Sequence, residues 1–248
     1  MSNATVIYTK KDHIAHITLN RPEVNNAINQ QLAQELEDVC RQINQDNDIY
    51  VAIITGGGSS AFCGESEPEQ VSTRFSVAAA IASIDQPVIA AINGDALGQG
   101  LELALSCDIR LASLQARFGF PQVALGLIPT DGGTQRLPRL VGKSKALELI
   151  LTAETISAEE ALEIGLVNKL VSKENLASEA EALAKTLAGM APIALKYIKE
   201  AVNKGLDLTL EQGLHLEADL YFILHTTADR TEGIKAFLQK RPPRFKGQ

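Results

Sequence analysis

Apolar residues at Leu32, Leu36, Val39 and Ile43 recur at helical spacing and predict an amphipathic helix, with Asn29 placed to cap its start. Before it, residues 4–9 and 13–19 alternate or run apolar and predict two strands turning around Lys10, Lys11 and Asp12. Tyr50 to Thr55 predicts a further strand, closed by Gly56, Gly57 and Gly58. Val71 to Ile84 reads as a short helix. Val88 to Ile92 reads as a buried strand led in by Pro87, and Asn93-Gly94-Asp95 as a turn. Beyond this lie a helix-like apolar segment, Leu101 to Leu105, a strand from Asp108 to Leu111, and a helix starting near Asp131. Further signals run over Lys143 to Leu151, Ser157 to Ile164 and Leu166 to Val171; Ser157, with Glu160 three residues on, is a helix-start signature. From Asn175 to Lys240 the pattern is helical throughout. Ala180, Leu183, Ala184 and Leu187 make one stripe, and Ile193, Tyr197, Ile198 and Val202 another. Leu214 to Leu224 is more apolar than a solvated helix should be, which predicts burial against neighbours.

Strands and helices alternate without a separating linker, so the 248 residues predict an α/β chain of one functional domain: a core over residues 1–190 and a helical region over 191–248. Apolar residues make up 45% and the formal net charge is −7, which argues against a nucleic-acid partner; aromatics at 4% with no Trp offer no base-stacking platform. No apolar run reaches the ~18 residues of a spanning helix, and the N-terminus lacks a signal-peptide core, so no membrane partner is expected. Cys40, Cys63 and Cys107 are odd in number and far apart, which favours a reducing cytoplasm over a disulfide framework or a metal cluster. His13 and His16 have no partner at ligand spacing and read as surface or edge residues, and Cys63 lacks an evident base and reads as packed.

The chemistry concentrates in PVIAAINGDALGQGLELALSCD, Pro87 to Asp108. Gly98 and Gly100 flank Gln99 just ahead of an apolar helix, so a ligand can approach backbone amides that carry partial positive charge. Glu102 is a carboxylate inside that apolar run, costly to bury unless its raised proton affinity is used. A tightly packed strand-turn-helix whose Glu reaches solvent explains the same spacing.

These residues carry a resemblance to the enoyl-CoA hydratase/isomerase (crotonase) superfamily. LNRPEVNNAI (Leu19 to Ile28), AIITGGGSSAFCGES (Ala52 to Ser66), GLIPTDGGTQRLPRLVG (Gly126 to Gly142), AEEALEIGLVNKLV (Ala158 to Val171) and the tail EGIKAFLQKRPPRFKGQ are similar to its blocks, in the same order. The resemblance implies a ββα spiral core with a C-terminal helical trimerisation region, and a homotrimer or hexamer. It implies an oxyanion hole made by the backbone amides of Ser66 and Gln99, which steadies a thioester enolate. It places a catalytic carboxylate at Glu102 and puts Gln122 where many relatives carry a second acid. It implies coenzyme A contacts from Val24, Asn26, Gly64, Glu65 and Glu67, and from Phe237 and Lys240 in the tail. Glu65 stands where a glycine is usual, and Gln99 where the middle of three glycines is usual. Coenzyme A is expected as part of an acyl-CoA substrate, with no other cofactor and no metal.

Gln122 can bond a water but has no proton to exchange at neutral pH. Asp131 is the candidate replacement: it either caps the helix that follows or faces the acyl pocket as the second catalytic acid. The resemblance implies an acyl-CoA lyase that adds or removes water at an enoyl- or dienoyl-CoA double bond, in fatty or aromatic acid degradation. An isomerase or acyl-CoA hydrolase of the same superfamily, and a weakly catalytic CoA- or RNA-binding relative, are the alternatives.

Overall fold

The computed structural model describes residues 4–64 and 76–248. Chain order runs β1 (Val6–Lys11), β2 (Ile14–Leu19), α1 (Gln30–Gln45), β3 (Val51–Gly56), β4 (Ala61–Cys63), α2 (Val77–Ala82), β5 (Val88–Ile92), β6 (Asp95–Leu97), α3 (Gln99–Leu105), β7 (Ile109–Ser113) and β8 (Arg117–Gly119). There follow α4 (Gly133–Val141), α5 (Lys143–Thr152), β9 (Thr155–Ser157), α6 (Ala158–Glu163), β10 (Lys169–Val171), α7 (Leu176–Ala188), α8 (Pro192–Gly205), α9 (Leu210–Leu224) and α10 (Ala228–Leu238).

Two sheets share these strands. A six-stranded sheet has the order β1-β2-β3-β5-β7-β10, and a four-stranded sheet the order β4-β6-β8-β9. From β3 onward the chain steps from one sheet to the other and then into a helix, three times: β3-β4-α2, β5-β6-α3, β7-β8-α4. This is the ββα spiral that the resemblance implies. Among the described residues, only the β1–β2 and β8–β9 pairs are antiparallel.

The larger sheet is buried on both faces, which explains why β3 and β5 read as unbroken apolar runs. Ala52, Ile54, Val88, Ala90 and Ile92 face α1, whose Leu32, Leu36, Val39 and Ile43 are buried as the spacing predicts. Val51, Ile53, Ile89 and Ala91 face the other way, against Leu176, Ala180 and Ala184 of α7. Asn29 caps α1 through its side chain, accepting from the Leu32 amide at 2.9 Å. The first hairpin turns at Asp12-His13, both at positive φ (50° and 66°), so Lys10 and Lys11 belong to β1. His13 stacks on Tyr50 at 4.4 Å; His16 is not at a sheet edge but on β2, between β1 and β3, with its ring 3.6 Å from Glu181.

Asp95, read from sequence as part of a turn, starts β6 instead; only Asn93-Gly94 turn the chain. The strands of the smaller sheet are three residues long, too short for a period-2 signal.

α8, α9 and α10 leave large apolar side chains in solvent: Ile198 61%, Leu206 69%, Leu210 80%, Phe222 67% and Phe237 83% exposed. A cleft of about 1030 Å³ opens between α8 and the core, lined by Leu105, Arg110, Arg139, Leu195, Lys199 and Val202 among others; Gln99 and Glu102 do not line it.

One polar residue anchors the loop ahead of α1. Asn26 is fully buried; its Oδ1 accepts from the Arg21 amide, and its Nδ2 donates to the carbonyls of Gly57 and Ala61 at 2.9 and 3.0 Å. Replacing Asn26 with Ala leaves those buried partners unpaired and should destabilise the chain by about 3 kcal/mol, read as a drop in urea midpoint at unchanged m-value.

Candidate active site

α3 starts where strands of the smaller sheet end side by side. β6 pairs with β4 on one flank and with β8 on the other, Leu97 opposite Gly119. Gly98 then turns the chain at φ 55° and ψ −122°, a conformation open to glycine. Its amide donates to the Gly119 carbonyl at 3.0 Å, and its own carbonyl accepts from Leu101 and Glu102. Gly100 is pressed against the end of β4, so a Cβ there would fall 2.0 Å from the backbone carbonyl oxygen of Cys63. Gln99, as the first residue of α3, has an amide directed along the helix axis rather than into the i−4 ladder.

Glu102 lies one turn into α3 and is 0% exposed. Its Oε1 accepts two backbone hydrogen bonds, from Asp131 at 2.7 Å and from Gly133 at 2.8 Å. Its Oε2 is buried and has no hydrogen-bond partner among the described residues. Burial raises its carboxyl pKa above the usual value; the amides of Gly133 and Asp131 work against that rise and the Asp131 charge adds to it. The result is a desolvated carboxylate with one oxygen fixed and one available. The reading in which Glu102 reaches solvent is therefore overturned.

Gln122 sits in a single 3-10 turn, Pro121–Leu125, directly after β8, the strand bonded beside the Gly98 turn. It is 7% exposed, and its Oε1 is a second buried acceptor without a partner among the described residues. The ring of Phe120 and Pro129 close the wall: a Cβ on Gly133 would meet both at 2.8 Å and Glu102 Oε1 at 3.1 Å.

Asp131 is 6% exposed but does not cap the helix after it. The N-cap of α4 is Gly132, with no side-chain cap bond, and Asp131 Oδ2 instead accepts from the Ala78 amide of α2 at 2.6 Å. The expectation of a local cap is corrected on that geometry: the residue caps a helix from a different part of the chain.

The expected coenzyme A contacts separate into three groups. Val24, Asn26 and Gly64 are brought together: the Gly64 amide donates to the Asn25 carbonyl at 2.8 Å, and Cys63 Sγ lies 3.2 Å from the Asn26 carbonyl. Phe237 and Lys240 lie at the far end of α10, whose neighbouring tail runs to Pro192 and Tyr50, at the start of β3 and away from Gly56. Glu65, Ser66 and Glu67 lie outside the described residues, and so do residues 71–75 of the helix expected over Val71 to Ile84; its described part contains α2. All three cysteines are buried and free, with thiols pushed up to about 12 by burial, which suits packing rather than nucleophilic work. Among the described residues, no group of three or more His, Cys, Asp or Glu could hold a metal ion, and no helix is long and apolar enough to cross a membrane.

Sequence reasoning missed two functional amides, those of Asp131 and Gly133, that grip Glu102. The visible signal was the Gly132-Gly133 pair, which permits the close approach.

The profile of the family described as "Enoyl-CoA hydratase/isomerase" matches residues 9–248. The chain is 40% identical to the short-chain-enoyl-CoA hydratase of Clostridium acetobutylicum over 248 residues, covering 95% of each chain. It is 38% identical to the (E)-benzylidenesuccinyl-CoA hydratase of Thauera aromatica, covering 95% of this chain and 96% of that one. Among solved structures, an enoyl-CoA hydratase from Bacillus anthracis superposes with a TM-score of 0.94 at 38% identity, over 98% of this chain and 100% of that one.

The packing at the head of α3 leaves no room for a methyl group. Gly100→Ala should cost at least about 2 kcal/mol, seen as a lowered melting temperature, because the clash is with backbone. Glu102→Gln should do the opposite as pH rises. A carboxyl whose folded pKa is raised binds its proton more tightly folded than unfolded, so wild-type stability falls between the unfolded value, about 4.3, and the folded value. The melting temperature of the Gln variant relative to wild type should therefore climb across that window and stay high above it.

Proposed function

This chain belongs to the enoyl-CoA hydratase/isomerase family, and from that premise we propose that it adds water across the double bond of an enoyl-CoA thioester. The carrying observation is the unequal treatment of the Glu102 carboxylate: Oε1 held by two amides, Oε2 buried and unpartnered among the described residues.

The thioester carbonyl docks at the head of α3, on the Gln99 amide, with the Ser66 amide as the second donor. As the nucleophile adds at the β-carbon, negative charge moves onto that oxygen, and donors placed beforehand lower the barrier; one such donor is typically worth ~10²–10³ in rate. Glu102 Oε2 removes a proton from the attacking water. The same carboxyl then returns a proton to the α-carbon, because Gln122 has none to give. Bond changes balance: one C–O and one C–H bond form, one O–H bond of water and the π bond are lost. Gln122 Oε1, a buried acceptor, orients the water. No other cofactor is required.

Coenzyme A lies along Val24, Asn26 and Gly64, with Glu65 and Glu67 following. Phe237 and Lys240 serve a neighbouring subunit's ligand in a homotrimer or hexamer; the exposed apolar rows of α8 to α10 support such an assembly, placed in the cytoplasm. Two relatives of nearly equal identity are named for a short-chain and for a bulky aromatic acyl group, so identity does not choose the acyl group. A second reading is migration of the double bond without water; a glutamine at 122, where many relatives carry an acid, weakens both readings as those relatives perform them.

Incubation with a series of enoyl-CoA thioesters, followed by mass spectrometry, separates the readings. Gain of one water supports hydration, an unchanged mass with a shifted double bond supports isomerisation, and intact substrate throughout would defeat both. Glu102→Gln should lose about 10³-fold in kcat with the fold retained. Because Glu102 must be ionised to accept a proton, the acid limb of the kcat profile should lie above the ordinary glutamate range, about 4.3, and vanish in the Gln variant.

A further inference from the structure

Asp131 reaches two elements at once. Its own amide donates to Glu102 Oε1 at 2.7 Å, and its carboxylate Oδ2 accepts from the Ala78 amide at 2.6 Å. α2, which donates that second bond, begins at Val77. Ser76, the N-cap of α2, makes no side-chain cap bond, so the Asp131 carboxylate takes that place from across the fold. The carbonyl of Asp131 is held as well, accepting from Arg136 Nη1 at 2.8 Å.

We propose that Asp131 is a positioning residue of the hydration reaction: its carboxylate ties the backbone segment that grips Glu102 to α2, so the direction of Glu102 Oε2 is fixed. This rests on the function proposed above. Both amides on Glu102 Oε1 belong to residues 131 and 133, so the direction of Oε2 is set by where that segment sits. The segment is held on one side by Arg136 and on the other by α2. Cutting the α2 bond frees the grip without removing it. An orientation error on the scale of a hydrogen bond costs rate more than binding.

Among the described residues, the one charge that acts on Glu102 is the Asp131 carboxylate from the segment before α4; the non-ionising ring of Phe120 closes on the same Gly133 that grips Glu102. Arg136 of α4 lies against Gly132 and the Asp131 carbonyl. The carboxylate of Asp131 adds to the rise of the Glu102 pKa.

Two substitutions divide the roles. Asp131→Asn keeps an acceptor for Ala78 and removes the charge; Asp131→Ala removes both. Positioning predicts a kcat loss of about threefold for Asn and about 30-fold for Ala, with KM for the enoyl-CoA changed much less. It also predicts that the acid limb of kcat moves to lower pH in the Asn variant, since the like charge is gone. Hydrogen exchange read by mass spectrometry on free protein supplies a readout independent of turnover: the peptide carrying the Ala78 amide should lose protection in Ala and keep it in Asn. Equal losses in both variants with exchange unchanged would make Asp131 itself the acid, and no loss in either would remove it from the reaction; each overturns the proposal. If wild type turns over no enoyl-CoA, the parent reading has failed, and the exchange result still decides whether Asp131 holds α2.

Discussion

A carboxylate sealed from water, with one oxygen gripped and the other left open, is the arrangement on which the rest of this molecule turns. Burying Glu102 is unfavourable in isolation. The two amides on Oε1 offset part of that cost and fix the plane of the group. They cannot both come from local structure, because they belong to a segment nearly thirty residues downstream. The fold must therefore bring the helix that closes one spiral repeat against the start of the helix that closes the next.

The two-sheet spiral does this with short parts. Each repeat sends its second strand into the smaller sheet, and the parallel pairing of β4, β6 and β8 aligns the segments at their C-terminal ends. Gly64 comes after β4, the Gly98 turn after β6, and Gln122 after β8. Three chain stretches far apart in sequence thus meet at one edge, where ligands gather in parallel α/β architectures. The glycine at position 100 lets this edge close, since its α-carbon rests against the Cys63 carbonyl.

Much of this was legible in residues. The four apolar positions of α1 and the Asn29 cap need only local periodicity, and they appear as read. Glu102 stood out because a charged residue in an apolar run demands an account. Gln122 stood out by position in a matched block, and its burial with an open acceptor fits that notice. The three-residue strands of the second sheet were not legible, because their stability comes from neighbours rather than from their own pattern. The cap reading of Asp131, one of two alternatives, failed for a related reason. An aspartate ahead of Gly-Gly suggests a cap for the next helix by local rules, whereas its partner, Ala78, is 53 positions away and is chosen by tertiary packing. For Glu65, Ser66 and Glu67, outside the described residues, the resemblance remains the guide.

The thiol of Cys63 lies beneath this edge, with Sγ 3.2 Å from the Asn26 carbonyl, fully shielded and held protonated by burial. An alkylating reagent reaches it when the structure around β4 opens. Its modification rate is consequently a clock for opening of the layer beneath the catalytic edge, running without any added probe. A bound acyl thioester, by favouring the closed layer, would slow that clock.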